Sequence, residues 1–412
     1  MLGLLLSRIV RNGTLTLVHS NGRVETFGAG EPRATIRLHD ARVPFEILGN
    51  PELKFGEAYM DGRLSADGGD LYVALDILMR NMEQADTPAL LRALRRLRVL
   101  TKGFEQLNSA RRARRNAAHH YDLSGRLYDL FLDSDKQYSC AYFSHPGESL
   151  EDAQAAKKRH VAAKLHLDRP GLKVLDIGSG WGGLALDLAR DLGADVTGVT
   201  LSEEQLAVSR ARAMKAGLSE RARFALQDYR ALAGRFDRIV SVGMFEHVGV
   251  PNYRAFFAKC ASLLADDGAM LLHTIGRLDG PGASNPWITK YIFPGGYTPA
   301  LSEVLPAIER SGLYVADIET LRLHYAETLK AWRARFRDHW AEAAAIYDER
   351  FCRMWDFYLT AMEVAFRRQH LCVYQIQLAR RVDALPITRD YMLEDERSMR
   401  FAGMERMPQA AE

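Results

Sequence analysis

Lys173-Val-Leu-Asp-Ile-Gly-Ser-Gly-Trp-Gly-Gly-Leu-Ala185 is a short apolar run that passes through a glycine-rich turn into a helix-forming segment. In α/β proteins a buried strand feeding a helix through such a turn marks a site for a nucleoside-bearing ligand. Gly178, Gly180 and Gly182 let the backbone turn tightly and approach a ligand without Cβ contacts, and Asp176 at the strand end can accept hydrogen bonds. The dinucleotide version of this motif expects an acid about 20 residues on, at the end of the next strand, to hold the ribose hydroxyls. Here the next apolar run, residues 196–199, is followed by Thr200. A third run, residues 224–226, leads to Asp228, placed where an adenine amino group can be met. Glycine turn, polar second strand end and acidic third strand end favour S-adenosylmethionine over NAD.

Outward from this turn, strand and helix patterns alternate. Residues 196–199, 224–226, 236–241 and 268–275 read as strands, and residues 203–215 and 253–264 as helices. Such alternation predicts an α/β fold, a doubly wound and mostly parallel sheet of the class I (Rossmann-like) methyltransferase type, with ligands at the carboxyl ends of the strands. Residues 326–380 read as helical, with an aromatic stripe that includes Trp332, Phe336, Trp355, Phe366 and Tyr374 and suits a core as readily as a lipid-binding face. Residues 1–88 read as a smaller α+β amino-terminal domain. There, residues 15–18 and 23–27 flank Ser20-Asn21-Gly22, a tight hairpin signal; residues 34–39 form a further strand and residues 71–82 a helix. Between the two parts, residues 89–120 predict a basic helical linker: nine Lys or Arg against one acid, Glu105, lie between Arg92 and Arg115. Residues 121–412 form the predicted catalytic domain.

The 412 residues exceed what a single core usually needs, and 47% hydrophobic with 26% charged residues describes a globular protein. Cys140, Cys260, Cys352 and Cys372 have neither disulfide-framework nor zinc-ligand spacing, which predicts a reducing cytoplasm and no metal. The apolar start at residues 2–6 is broken by Arg8 and Arg11, too short to span a membrane. The basic stretch lacks interleaved stacking aromatics, so nucleic acid is not an expected partner.

Several segments converge on one family. Tyr138-Ser-Cys-Ala-Tyr-Phe143, Asp176-Ile-Gly-Ser-Gly-Trp-Gly-Gly183, Thr200-Leu-Ser-Glu-Glu-Gln205, Gln227-Asp-Tyr229, Ser241-Val-Gly-Met-Phe-Glu-His-Val-Gly249, Leu272-His-Thr-Ile275 and His324-Tyr-Ala-Glu-Thr-Leu329 resemble the cyclopropane-fatty-acyl-phospholipid synthases, S-adenosylmethionine-dependent C-methyltransferases related to the mycolic acid cyclopropane synthases. The likeness spans residues 121–380; Ser179 departs from it, standing where the family usually has cysteine. The resemblance implies that the alkene of an unsaturated phospholipid attacks the sulfonium methyl, and that loss of a proton from the resulting carbocation closes a three-membered ring. The implied base is bound bicarbonate, and the positions matching its cradle are Cys140, Glu246, His273, the backbone around Ile275, and Tyr325. Imidazole, phenol and backbone donors suit an anion, while Glu246 must share a proton or orient a neighbour. The cofactor positions carried over are Tyr138 and Ser139 for the methionine part, Val174 through Asp176, Gly178 and Gly180 to Gly182 for the turn, Thr200, Leu201, Ser202 and Gln205 for the ribose, and Asp228 and Tyr229 for adenine. His247 reads as structural or as a support behind the site.

The implied substrate lies in a bilayer, so the resemblance also implies a cytoplasmic protein peripherally associated with the inner membrane surface. Docking would rest on basic patches and apolar loops, with the aromatic loop 287–297 as the expected acyl entrance. The sequence leaves a homodimer open, and three rivals with it: a methyltransferase giving methyl-branched or methylene acyl chains, a small-molecule methyltransferase, and a catalytically silent lipid-binding protein.

Overall fold

The structure is a computed structural model that describes residues 2–69, 71–82 and 124–399. The basic stretch at residues 92–115 therefore lies outside the described residues. The amino-terminal part runs α1 (Leu2–Ile9), β1 (Asn12–Val18), β2 (Val24–Leu38), α2 (Val43–Gly49), α3 (Pro51–Met60), β3 (Leu64–Ala66) and α4 (Leu71–Met82). The expected hairpin forms at Ser20-Asn21-Gly22, where Gly22 takes a positive φ of 83°. The strand expected separately at residues 34–39 is instead the second half of β2, which bends so that both its halves flank β1: Leu15 lies opposite Phe27 on one side and Ala34 on the other.

The remainder runs α5 (Gly125–Asp129), α6 (Leu150–Leu165), β4 (Lys173–Ile177), α7 (Gly183–Asp191), β5 (Asp195–Thr200), α8 (Glu203–Lys215), β6 (Ala222–Leu226), β7 (Phe236–Val242), α9 (Tyr253–Leu263), β8 (Leu264–Arg277), α10 (Pro286–Tyr291), α11 (Leu301–Glu309), β9 (Tyr314–Leu321), α12 (His324–Asp338), α13 (Trp340–Ile346), α14 (Glu349–Arg368), β10 (Leu371–Ala379) and α15 (Asp390–Ser398). Seven strands make one sheet in the order β6-β5-β4-β7-β8-β10-β9. Neighbours from β6 to β8 pair in parallel, and β10 runs antiparallel to both β8 and β9. This is the class I methyltransferase arrangement. The order reverses between β4 and β7, which opens a crevice above the end of β4.

Residues 371–379 correct the helical expectation for the last quarter. Alternate side chains of β10, Cys372, Tyr374, Ile376 and Leu378, enter the core with the β8 and α9 side chains. Gln375 and Gln377 face the other way and are still only 1% exposed, because α6 supplies their hydrogen-bond partners. The aromatic stripe is core: Trp332, Phe336, Trp355, Tyr358 and Phe366 belong to one buried cluster, which also includes Met60, Leu71 and Leu75 of the amino-terminal part.

That shared cluster seals the amino-terminal part against α10 and α14. Trp287, expected at an acyl entrance, is buried instead, with its ring edge-on to Phe357 at 4.6 Å and its Nε1–H donating to Met60 Sδ at 3.2 Å. Around it, Tyr59 donates to Asp356 at 2.8 Å, Arg350 pairs with Asp61 at 2.9 Å, and Lys290 with Glu57 at 2.6 Å. Gly56 sits in this seam without room for a side chain: a Cβ there would lie 2.6 Å from Trp287 Nε1 and 2.7 Å from Phe357 Cε1. Gly56→Ala is therefore expected to destabilise the protein by about 1–3 kcal/mol through forced displacement of Trp287. Denaturant titration of the variant checks this, and an unchanged midpoint would mean the seam is looser than described.

Candidate active site

The glycine turn opens a cavity at the carboxyl ends of β4, β5 and β6. Gly178, Gly180 and Gly182 have φ values of 86°, 55° and 85°, the left-handed region that side chains other than glycine rarely adopt. Gly178 and Gly180 line the cavity together with Asp176, which is fully buried and pushed up to about 7 by burial, with Lys157 opposing the shift. Gly182 points elsewhere: a Cβ on it would meet Phe224 and Ser209. Val174, likewise expected at the cofactor, is an interior strand residue with no exposure, packed in the core between sheet and helices, and the cavity wall does not include it. The strand end, not its middle, reaches the ligand side.

Thr200, Leu201, Ser202 and Gln205 line the cavity as the capped start of α8. Ser202 Oγ accepts from Gln205 N at 3.3 Å. Thr200 Oγ1 donates to Gln205 Oε1 at 2.8 Å, so the carboxamide oxygen is engaged and the NH₂ is the group available to ribose hydroxyls. Asp228 and Tyr229 line the same cavity from the end of β6. Asp228 caps the next turn and is clamped by Arg230 at 2.9 and 2.6 Å. A carboxylate has about four lone-pair sites, so acceptor capacity remains for an adenine amino group. From the other side come Tyr138 and Ser139, with Met244 and His247 beside them. Burial pushes His247 down to about 4, so its imidazole is neutral at physiological pH. His247, expected to be structural or to stand behind the site, lines the cavity. Of the aromatic loop, Pro294 and Gly295 reach the wall, while Tyr297 is buried and donates to Glu303 at 2.7 Å.

Cys140, Glu246, His273, Ile275 and Tyr325 do not line this cavity, but the first three each neighbour a residue that does. Cys140 follows Ser139, Glu246 precedes His247, and His273 pairs with the lining residue Val242 across β7 and β8. Glu246 and Ile275 are in direct contact: Glu246 Oε1 accepts from Ile275 N at 2.6 Å. Its other oxygen, Oε2, is buried and has no hydrogen-bond partner among the described residues. Burial pushes this carboxyl above the usual range, opposed by the Ile275 N–H. The segment of Cys140 is tied to α12, the helix of Tyr325: the Ala141 N–H donates to Thr328 Oγ1 at 3.0 Å, three residues beyond Tyr325, and Cys140 and Tyr325 belong to the same buried cluster. Burial pushes the Cys140 thiol well up, so it is no thiolate at neutral pH.

His273 is set by its neighbours in the sheet. Register places His273 of β8, Gln375 of β10 and Glu319 of β9 in one row. Lys164 of α6 donates to Gln375 Oε1 at 2.7 Å, which leaves the Gln375 NH₂ to donate to His273 Nδ1 at 3.1 Å. Nδ1 is then the acceptor and the ring proton resides on Nε2. Burial holds the ring well below its ordinary pKa, so it is a neutral donor. An imidazole N–H and a carboxyl that carries its proton on the orphaned oxygen suit a small oxyanion, whereas the Cys140 thiol spends its one proton on the Ala141 carbonyl at 3.2 Å; no metal-binding cluster forms among the described residues.

Residues 108–376 match the family model described as mycolic acid cyclopropane synthetase, and residues 4–86 match one described as a domain of unknown function. The chain is 39% identical over 360 residues to a cyclopropane-fatty-acyl-phospholipid synthase of Escherichia coli strain K12, covering 86% of this chain and 90% of that one. It is 37% identical over 395 residues to a tuberculostearic acid methyltransferase of Mycobacterium tuberculosis, covering 91% and 90%. Among solved structures it is similar to a mycolic acid cyclopropane synthase complexed with SAH and CTAB, with a TM-score of 0.61, 34% identity, and coverage of 65% of this chain and 98% of that chain.

Proposed function

The chain belongs to the mycolic acid cyclopropane synthetase family, an S-adenosylmethionine-dependent transferase acting on lipid acyl chains, and on that premise we propose that it converts a cis double bond of a membrane phospholipid into a cyclopropane. S-adenosylmethionine supplies the electrophilic methyl group, and bicarbonate supplies the base that removes a proton from the carbocation. The observation that carries the finer reading is the buried, unpartnered Oε2 of Glu246, whose other oxygen is held by the Ile275 N–H, two residues along β8 from the neutral donor His273.

The chain's own residues have separable tasks. Gln205 and Asp228 hold the nucleoside, while Ser139 and Tyr138 close over the other end. Tyr138 stacks on Trp332 at 5.2 Å, and Tyr325 meets the same ring edge-on at 5.8 Å. Aromatic faces stabilise positive charge without competing as nucleophiles, so the Tyr138 ring, which lines the cavity with Trp332 stacked on it, suits a sulfonium and a carbocation alike. Glu246 and His273 hold the anion in place, and the buried cluster around Trp332 and Trp355 excludes the water that would quench the cation.

No helix among the described residues is long and apolar enough to cross a membrane. The protein docks peripherally from the cytoplasmic side, using the basic residues 92–115 against anionic headgroups, each contributing about 1 kcal/mol near the surface. Incubation with S-adenosylmethionine and anionic vesicles of unsaturated phospholipid, followed by mass spectrometry, is expected to show acyl chains gaining one CH₂ with the alkene replaced by a ring. Raising salt should slow this conversion, because exposed charges are screened over roughly 10 Å at 0.1 M. A saturated methyl branch or a methylene in place of the ring would favour the rival resolution of the cation, and inertness towards vesicles would favour a soluble small substrate.

A further inference from the structure

Lys157, in the middle of α6, is 1% exposed and lines the cofactor cavity. Its ammonium donates to Gln137 Oε1 at 2.5 Å and to Ser139 Oγ at 2.8 Å. An ammonium has three donors, so one is unspent. The next residue on the helix shows what a buried lysine ordinarily has: Lys158 lies between the carboxylates of Asp135 at 2.6 Å and Asp187 at 2.5 Å. Lys157 has no carboxylate within ion-pair distance among the described residues; Gln137 and Ser139 are both neutral. A buried cation without a paired carboxylate is costly; Asp133 and Asp135 attract this one from beyond ion-pair distance, and the cavity it lines gives a closer anion access to it.

We propose that Lys157 is the counter-ion of a carboxylate-type anion in the site, namely the α-carboxylate at the methionine end of S-adenosylmethionine. The placement fits the cofactor's polarity. Asp228 and Gln205 stand at the β6 and β5 side of the crevice, whereas α6 packs against β7 and β8, towards the opposite side. Ser139, which Lys157 holds, belongs to the segment assigned to the methionine part. Burial lowers Lys157 to about 8, which leaves it mostly protonated at neutral pH, and a bound anion would hold that proton more firmly. Bicarbonate presents the same chemistry, since Lys157 also acts electrostatically on Cys140 and His273.

This inference rests on the cofactor reading, and its test separates the two. Calorimetric titration of the full chain with S-adenosylhomocysteine and with its decarboxylated analogue, which keeps the nucleoside and amine, is expected to show a preference for the former of roughly 30-fold. In Lys157→Met, and in Lys157→Gln should the first fold poorly, that preference should collapse to within about threefold. A lysine that merely braces Gln137 and Ser139 would weaken both ligands equally, and an intact preference in the folded variants overturns the proposal. An intact preference accompanied by a higher bicarbonate requirement for turnover also overturns it, transferring Lys157 to the second anion. Native protein that binds neither nucleoside would overturn the cofactor reading and the inference together.

Discussion

Gly180→Val is expected to abolish measurable binding of S-adenosylmethionine, a loss of at least about a hundredfold, while the fold survives. Two effects act at this residue. Its φ of 55° lies in the left-handed region, where a β-branched side chain is strained by about 1–3 kcal/mol. Its Cβ direction meets no atom within 4 Å, and the residue lines the cavity, so the isopropyl group would occupy ligand space with no protein contact to resist it. Gly217 separates strain from obstruction. It too has a positive φ, 68°, with no atom within 4 Å of a Cβ, but it is exposed at the end of α8. Gly217→Val should therefore lower the unfolding midpoint comparably and leave cofactor affinity within about twofold. Calorimetry and thermal unfolding on both variants decide the matter. Equal affinities for the two variants would remove the glycine turn from the binding site.

The parts of this molecule that were legible in its sequence are those where local pattern and tertiary role agree. The strands from β4 to β8 are apolar because both faces of a parallel sheet are covered, and the positive-φ positions of the turn demand glycine. β10 disguised itself, because Gln375 and Gln377 interrupt the apolar run yet are buried against Lys164 and Tyr391. Lys164 lies on a helix more than two hundred residues away in the chain, which no local window can register. α6 is the complement: Lys157, Lys158, His160 and Lys164 give it the look of a solvated helix, although all four are buried. A signal for Lys157 did exist in the sequence, since it stands four residues from both Ala153 and Val161 on the apolar face. Gly56 and Trp287 were opaque for another reason. Their contact joins the amino-terminal part to α10, and nothing near either residue announces the other.

Glu246→Gln is expected to lower turnover by about a hundredfold or more while S-adenosylmethionine affinity stays within about twofold, the pattern of an interaction realised mainly in the transition state. The change keeps the volume and the acceptor for Ile275 N–H but replaces the orphaned oxygen and its exchangeable proton with an amide. Tyr325→Phe should act in the same direction and less strongly, since the ring contacts with Trp332 and Phe366 survive. Cys140→Ser tests the opposite idea. Burial keeps the Cys140 proton on sulfur, and its Sγ already donates to the Ala141 carbonyl at 3.2 Å, so a serine hydroxyl can replace it with measurable activity retained. A covalent nucleophile would instead lose several orders of magnitude on that change. Carbonate-depleted buffer should slow the native enzyme, and added bicarbonate should restore it. In Glu246→Gln the same titration should need more bicarbonate, because the anion has lost a partner, whereas an indirect structural defect would lower the maximal rate without moving the half-saturation point. A native rate indifferent to bicarbonate, with Glu246→Gln still inactive, would assign the proton to Glu246 itself, whose raised pKa and unpartnered Oε2 make it the protein's own alternative base.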